Sequence, residues 1–231
     1  IESRGLGDVY KRQINIYEIF EKPLLKILAF MEIEGVKIDN KFLKSLSTKF
    51  EKKIVKIQNE VFKISKKEFN IASPKQLGEI LYNDLKIADL KKTKKGSFAT
   101  SASVLEDLAF KGHKFPQLVL DWRQVSKLKN TYSDSLPEHI NPNTQRVHTS
   151  FLLAATTTGR LASSDPNLQN IPIKSEDGKD IRKAFIAKKD HVLISADYNQ
   201  IEMRILADLA DVKGLKKAFK NNEDIHSLTA S

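Results

Sequence analysis

The chain contains 231 residues, of which 40% are hydrophobic, so it is long enough and apolar enough to bury the core of one or two domains. Its formal charge of +10 favours a polyanionic partner. Nucleic acid is favoured over a membrane surface, because the sequence has neither a run long enough to span a bilayer nor a signal peptide with an apolar centre. The absence of cysteine excludes disulfides and thiolate metal sites and agrees with a cytoplasmic location.

Residues 1–13 carry no apolar periodicity that fits the chain after them. The stretch from Asp8 to Gln13 resembles the translation of a transposon end used in preparing sequencing libraries. We interpret residues 1–13 as a sequencing or assembly scar and exclude them when predicting the fold.

Apolar residues at helical spacing predict a first helix within residues 14–38, with Pro23 in its first turn and Gly35 at its end. Asp39 or Asn40 is placed to cap the next element. That element is predicted to be a long amphipathic helix, because its apolar residues step by three or four: Leu43, Leu46, Phe50, Ile54, Ile57, Val61 and Ile64. The lysines between them are typical of a solvated outer face.

Two further helix starts are visible in the middle of the chain. Ser73 followed by Pro74 predicts a short helix, and Ser103 with Glu106 forms a capping-box pattern. A second long helix is predicted to run until Pro137. Its apolar stripe consists of Leu118, Trp122, Val125, Leu128 and Tyr132.

Basic residues cluster between and along the two long helices. Residues 91–96 form a basic loop, and Arg123, Lys127 and Lys129 lie on the second helix. Any helical hairpin would fit the periodicity alone. A nucleic-acid-binding role of these cations would be recognised by an affinity for nucleic acid that falls steeply as the salt concentration rises.

From Ile140 onward the pattern changes from helical to extended. The β-prone runs are Val147–Leu153, Ala184–Ala187 and Val192–Ala196. The last run is continuously apolar, so it predicts a strand buried on both faces, and the hairpin-sized gap of residues 188–191 predicts that it pairs with the run before it. The fold class is therefore α+β, with helices first and an antiparallel β-sheet afterwards.

Asp197 stands where the predicted strand passes into a helix, and Glu202 lies on that helix. Either could be structural, Asp197 as a turn or cap residue and Glu202 as a solvated helix residue. A two-metal nuclease built on the pair is disfavoured, because Glu202 lies well into the helix and no further acidic cluster assists.

Four motifs in order resemble one protein family: TGRLASSDPNLQNIP, IRKAFIA, SADYNQIEMRILADLA and EDIH. Together they are similar to the first half of the polymerase palm in family A DNA polymerases, the bacterial DNA polymerase I family. A weaker resemblance extends back to about Tyr17. The resemblance implies a remnant leading into the polymerase portion at 14–39, a helical thumb at 40–138, and the first half of a palm at 139–231, truncated before the fingers.

The resemblance also implies the chemistry. Family members transfer nucleotides from dNTPs to a primer 3′-hydroxyl under the direction of a template, in DNA replication and repair, with two Mg²⁺ ions. By resemblance, Asp197 supplies a metal-binding carboxylate and Tyr198 a backbone carbonyl. The second acidic motif of the family lies downstream of this chain. Gln200, Glu202 and His226 resemble nucleotide-pocket residues, and Glu202 is the residue that closes the pocket against a ribose 2′-hydroxyl.

The resemblance further assigns residues to the primer–template duplex. Arg160, Asn167 and Gln169 look like minor-groove and backbone readers near the primer terminus, and Lys174 stands where relatives carry a basic residue that touches the DNA backbone. Arg123 and Lys127 lie on the thumb that grips the duplex. Surface positions in a polar loop are the alternative, above all for Lys174.

Two function hypotheses follow. The first is a DNA polymerase, monomeric as the full-length parent, of which this fragment is inactive alone. The second is a duplex DNA-binding module without catalysis.

Overall fold

The computed structural model describes residues 13–87, 98–173, 175–221 and 223. The chain divides into two compact units, one of residues up to 189 and one from residue 190 onward. In these ranges no helix is both long enough and apolar enough to cross a membrane. The scar proposed for residues 1–13 (apart from Gln13), the basic loop at 91–96, Lys174 and His226 lie outside the described residues. The predicted division into thumb and palm stays a prediction.

The first unit begins with a π-helical turn, Tyr17–Glu21, that continues into helix α1, Lys22–Glu34. Pro23 lies in the first turn of α1, and Gly35 ends it with φ 61°, a value that glycine adopts without steric cost. The Gly35 N–H donates to the Met31 carbonyl at 2.9 Å. The predicted end at Gly35 is therefore confirmed, whereas the predicted start at Pro23 is wrong, because helical backbone already runs from residue 13 through the π-helical turn into α1.

Helix α2, Asn40–Ser65, is the long amphipathic helix that the spacing predicts. Asp39 caps it by accepting a hydrogen bond from the Phe42 N–H at 2.9 Å. Its buried hydrophobic residues are Leu43, Leu46, Phe50, Ile57 and Val61. Two of its lysines do more than face solvent: Lys49 forms an ion pair with Asp180, and Lys53 forms one with Asp177.

The short helix α3, Pro74–Gly78, is capped by Ser73 as predicted, and a π-helical stretch, Glu79–Asp84, continues it. Helix α4, Ala102–Phe110, begins directly after Ser101. The capping box predicted for Ser103 and Glu106 is therefore wrong. Ser101 is the last residue with an extended backbone before the helix, and Ser103 already lies in the first turn. The hydroxyl oxygens of Ser101 and Ser103 lie 3.1 Å apart.

The second long helix is a composite of α5, Lys114–Leu128, a π-helical stretch, Lys129–Asp134, and α6, Ser135–Glu138. Its buried stripe packs with α2 into one hydrophobic core. The stripe contains Leu118, Val125, Leu128 and Tyr132, which the periodicity had singled out. The core of the first unit thus lies where the two long helices meet.

Two small antiparallel sheets complete the α+β fold. Strand β2, Ser150–Leu152, pairs with β3, Ala162–Ser164. Strand β1, Lys37–Ile38, pairs with β4, Phe185–Ile186. The hairpin predicted between residues 184–187 and 192–196 is wrong, because β4 takes its hydrogen-bonding partner from β1, far away in sequence.

The stretch from Val192 to Ala196 has no regular secondary structure and is not the predicted buried strand. Val192 is 79% exposed and Ile194 is 87% exposed. A strand needs a neighbour to satisfy its backbone groups, and in the described ranges nothing pairs with this one. The apolar composition is right for burial, but burial also requires a covering partner.

The described part of the second unit contains two short helices, α8, Ile201–Leu209, and α9, Lys213–Lys220. They follow helix α7, Glu176–Lys183, which belongs to the first unit.

Candidate nucleic-acid interface and acidic turn

Residues 156–173, which we call the polar segment, present the predicted DNA readers on the surface. Arg160, Asn167 and Gln169 are all exposed. The Gln169 side chain donates from Nε2 to the Leu161 carbonyl at 3.0 Å, and the Asn167 side chain accepts from the Gln169 N–H at 3.0 Å. The structure therefore brings Asn167 and Gln169 together in one hydrogen-bonded turn.

Residues that the sequence did not single out hold the polar segment in place. The buried Thr149 hydroxyl lies 3.0 Å from the Ser164 carbonyl and 2.8 Å from the Pro166 carbonyl, so it can donate to either. The Ser163 hydroxyl accepts from the Leu168 N–H at 3.0 Å. Small hydroxyl residues with distant backbone partners leave no periodic signal, so sequence reasoning had no means of finding them.

A groove of about 600 Å³ lies beside the polar segment. Arg123, Lys127 and Tyr132 line it from the second long helix, and Asn170 lines it from the polar segment. Two of the predicted phosphate-binding cations therefore share one groove with the segment that carries the predicted readers.

Arg123 and Lys127 differ in their surroundings. Arg123 is half-buried and donates from Nη1 to the Thr100 carbonyl at 2.8 Å. Burial lowers the pKa of its guanidinium. Lys127 is exposed. Lys127 is therefore the cation better placed for contact with a phosphate.

Lys129 has a structural role in the first unit. Its ammonium lies 2.8 Å from the Asp134 carboxylate and 3.2 Å from that of Glu51. The hydrogen bond to Asp134, followed by that to Glu51, raises the pKa of Lys129 against the opposing effect of burial. With its side chain only 18% exposed, Lys129 joins the two long helices, which sequence alone did not indicate.

In the second unit, residues 197–202, which we call the acidic turn, lead through a turn at residues 199–200 into α8, and Asp197 at their start is exposed. Tyr198 is 80% exposed, and Gln200 adopts a left-handed conformation with φ 52° immediately before the helix. Glu202 lies in the first turn of α8, where the helix dipole favours a carboxylate. The predicted order of carboxylate, turn and helix is thus present, without the strand that was expected before it.

The acidic turn offers ligands suited to a hard cation. A carboxylate and a backbone carbonyl are the oxygen ligands that Mg²⁺ prefers, so Asp197 and Tyr198 are of the right chemical type. Across the described ranges, however, no group of three or more His, Cys, Asp or Glu side chains could hold a metal ion.

Comparison with known proteins identifies the class. The model of DNA polymerase family A matches residues 40–231, so both the polar segment and the acidic turn lie inside the match. The chain belongs to DNA polymerase family A.

The relatives are bacterial. The chain is 50% identical to DNA polymerase I of Rhizobium leguminosarum over 94% of its length, covering 21% of that protein. It is 44% identical to the thermostable DNA polymerase I of Thermus thermophilus over 96% of its length, covering 27% of that protein. A solved structure, the POL domain of Pol1 from M. smegmatis in complex with DNA primer–template and dNTP, superposes with a TM-score of 0.84 at 38% identity, covering 95% of this chain and 39% of that one. The chain spans about a quarter of the curated relatives it matches.

Proposed function

We propose that this chain is part of a template-directed DNA polymerase that transfers nucleotides from dNTPs to a primer 3′-hydroxyl in DNA replication and repair. The observation that carries the proposal is the family match across residues 40–231, which includes the polar segment and the acidic turn. In this proposal residues 40–138 form the thumb and residues 139–231 form the first half of the palm.

The proposed interface with primer–template DNA combines the groove and the polar segment. Arg123 and Lys127 contact phosphates, while Asn167 and Gln169 reach the minor groove with Arg160 beside them. Purine N3 and pyrimidine O2 are acceptors in every base pair, so donors placed there sense the shape of a pair without reading its sequence. The net charge of +10 and the DNA complex of the M. smegmatis relative support this assignment. Lys174 is proposed as a further contact with the DNA backbone.

The proposed reaction centre is the acidic turn. Asp197 and the Tyr198 carbonyl would hold Mg²⁺, which, when bound, neutralises charge at the phosphoryl group during transfer. Glu202 limits the space at the sugar and thereby excludes ribonucleotides. Gln200 lies beside the same pocket, and His226 contacts the phosphates of the incoming nucleotide.

A second function is favoured for the chain by itself: a duplex DNA-binding module without catalysis. The specific observation is the groove lined by Arg123 and Lys127 beside the polar segment, which carries the predicted DNA readers. Binding depends on the groove and the polar segment, whereas turnover requires further ligands.

The experiment is a titration of labelled primer–template duplex with the purified chain at several salt concentrations. We expect the logarithm of affinity to fall linearly with the logarithm of salt concentration, with a slope of about 0.9 per neutralised phosphate. Lys127→Ala should reduce the magnitude of the slope by about 0.9, the contribution of one phosphate contact. Lys63→Ala, which removes an exposed lysine from α2, should leave the slope unchanged. Salt-independent binding contradicts the proposal.

A further inference from the structure

Three consecutive carbonyls of the polar segment are held by side chains from helices. The Asn170 carbonyl accepts from the Tyr132 hydroxyl at 2.5 Å. The Ile171 carbonyl accepts from Nη2 of Arg182 at 3.0 Å, and the Pro172 carbonyl accepts from Nε of the same residue at 3.4 Å. The backbone of the polar segment is therefore fixed by donors that lie outside it.

Arg182 makes its contacts from α7, which is itself joined to α2. Two ion pairs connect these helices: Lys49 with Asp180 at 2.6 Å, and Lys53 with Asp177 at 2.5 Å. On α7, Gly178 lies so close to the polar segment that an added Cβ would stand 2.7 Å from the Pro172 carbonyl oxygen. One end of the segment is thus packed directly against α7.

Tyr132 makes its contact from the second long helix, whose preceding turns carry Arg123 and Lys127. It is 3% exposed and lines the same groove as those two cations and Asn170. Burial raises the pKa of its hydroxyl, so the group stays protonated and able to donate at neutral pH. Among the contacts described above, this one directly joins the helix with the predicted phosphate-binding cations to the segment with the predicted readers.

We propose that Tyr132 is a positioning residue that keeps the polar segment in register with the cations of α5, so that phosphates and the terminal base pair are contacted as one unit. The inference rests on the proposed function. Tyr132 itself touches no substrate. It acts through Asn170 on Asn167 and Gln169.

The physical reason is the steep distance dependence of hydrogen bonds. A donor must lie about 2.7–3.2 Å from its acceptor, so a shift of a few tenths of an ångström weakens the bond. A mismatched terminal pair displaces its minor-groove acceptors, and rigidly held donors lose contact with them. A segment released from Tyr132 would follow the displaced acceptors and discriminate less.

The test measures the affinity of the 231-residue chain for primer–template duplexes with a matched or a single mismatched primer terminus. The variant is Tyr132→Phe, which removes only the hydroxyl. The matched control is Tyr82→Phe, because Tyr82 is 5% exposed and its hydroxyl donates to the Ala99 carbonyl at 2.7 Å, away from the polar segment. Unfolding midpoints are measured for both variants.

We expect the ratio of matched to mismatched affinity to fall towards one in Tyr132→Phe, by up to about fivefold, the effect of one net hydrogen bond. Tyr82→Phe should keep the ratio of the unchanged chain even if both variants lose the same stability. Arg182→Lys, which removes the planar donor pair to the next two carbonyls, should lower the ratio as well. It provides the same test if Tyr132→Phe does not fold.

The inference alone is overturned by duplex binding of the unchanged chain without discrimination, or by discrimination that survives both Tyr132→Phe and Arg182→Lys. An equal loss in Tyr132→Phe and Tyr82→Phe also overturns it, because it would assign the effect to general destabilisation. A failure of the unchanged chain to bind any primed duplex contradicts the proposed function itself and is recognised by the absence of binding in every variant.

Discussion

The guanidinium of Arg204 lies over the ring of Phe219, with Cζ 4.4 Å from the ring centre. From this position its Nε donates to the Asn199 carbonyl at 2.9 Å. One side chain therefore ties the turn before α8 to α9. The turn lies between Asp197 and Glu202, so Arg204 stabilises the local geometry of the proposed reaction centre.

Arg204→Lys keeps the charge but removes the planar group that stacks on Phe219. A cation–π contact at a partly exposed site contributes about 0.5–1 kcal/mol, so we expect amide hydrogens of α8 to exchange up to about fivefold faster. Lys217→Arg, a charge-conserving exchange at an exposed position of α9, serves as the control. Equal exchange in the two variants would show that Arg204 does not stabilise the turn.

Glu202→Ala in the intact polymerase is expected to relax the exclusion of ribonucleotides while synthesis from deoxyribonucleotides continues. The reason is steric, since removing the side chain opens space beside the sugar. The measurement is incorporation of matched ribo- and deoxyribonucleotides opposite the same template base. Unchanged sugar discrimination would remove this role from Glu202.

The ion pairs of Asp180 predict a dependence of stability on acid. Hydrogen bonds from Lys183 and then Lys49 lower the pKa of its carboxyl, whose side chain is 20% exposed. A carboxyl with a lowered folded-state pKa stabilises the fold above its unfolded value, near 3.9, and this stabilisation is lost as pH falls through the folded value. Because the lysines are exposed, the effect should not exceed about 1 kcal/mol.

Asp180→Asn should therefore lower the denaturant midpoint at pH 7 and flatten its fall below about pH 4. Asp107→Asn removes an exposed carboxylate from α4 and should change neither quantity. A midpoint for Asp180→Asn that follows that of the unchanged chain at every pH would show that these ion pairs add nothing to stability.

Local signals predicted local structure well. Gly35, Asp39 and Ser73 mark helix ends by chemistry that operates within a few residues, and all three act as expected, whereas the helix that contains Pro23 begins further upstream. The capping box at Ser103 failed because the helix begins directly after Ser101, two residues earlier, and Ser101 occupies the cap position without a side-chain capping hydrogen bond.

Long-range pairing could not be predicted. The sequence predicted that the run around Phe185 pairs with the next β-prone run, residues 192–196. In the structure it pairs with Lys37–Ile38, which tertiary packing brings beside it. Tyr132 was recognised as a core residue from its spacing, whereas the acceptor of its hydroxyl, Asn170, depends on how the polar segment folds back. The motifs that identified Asp197 predict the chemistry of its side chain. They do not predict that residues 192–196 remain unpaired.

The purified 231-residue chain is expected not to extend a primer. Mg²⁺ is usually held by one or two carboxylates together with substrate phosphates, and the described ranges offer no cluster of three ligands. Positioning and charge stabilisation are nearly all that phosphoryl transfer requires of a protein, so an incomplete site should give essentially no rate. Primer extension by monomeric chain with Mg²⁺ is the assay. Extension that Asp197→Ala abolishes would show that this chain can assemble a working site.

The central claim is that Asp197 belongs to the reaction centre of a DNA polymerase, and primer extension by the intact protein tests it most directly. Asp197→Asn is compared with Asp190→Asn, which removes a second exposed carboxylate seven residues earlier and places Asn where the backbone has φ 64°, a conformation that Asn tolerates. We predict that Asp197→Asn abolishes extension while still binding primer–template, and that Asp190→Asn extends primers at the rate of the unchanged protein. Full extension by Asp197→Asn would contradict the account.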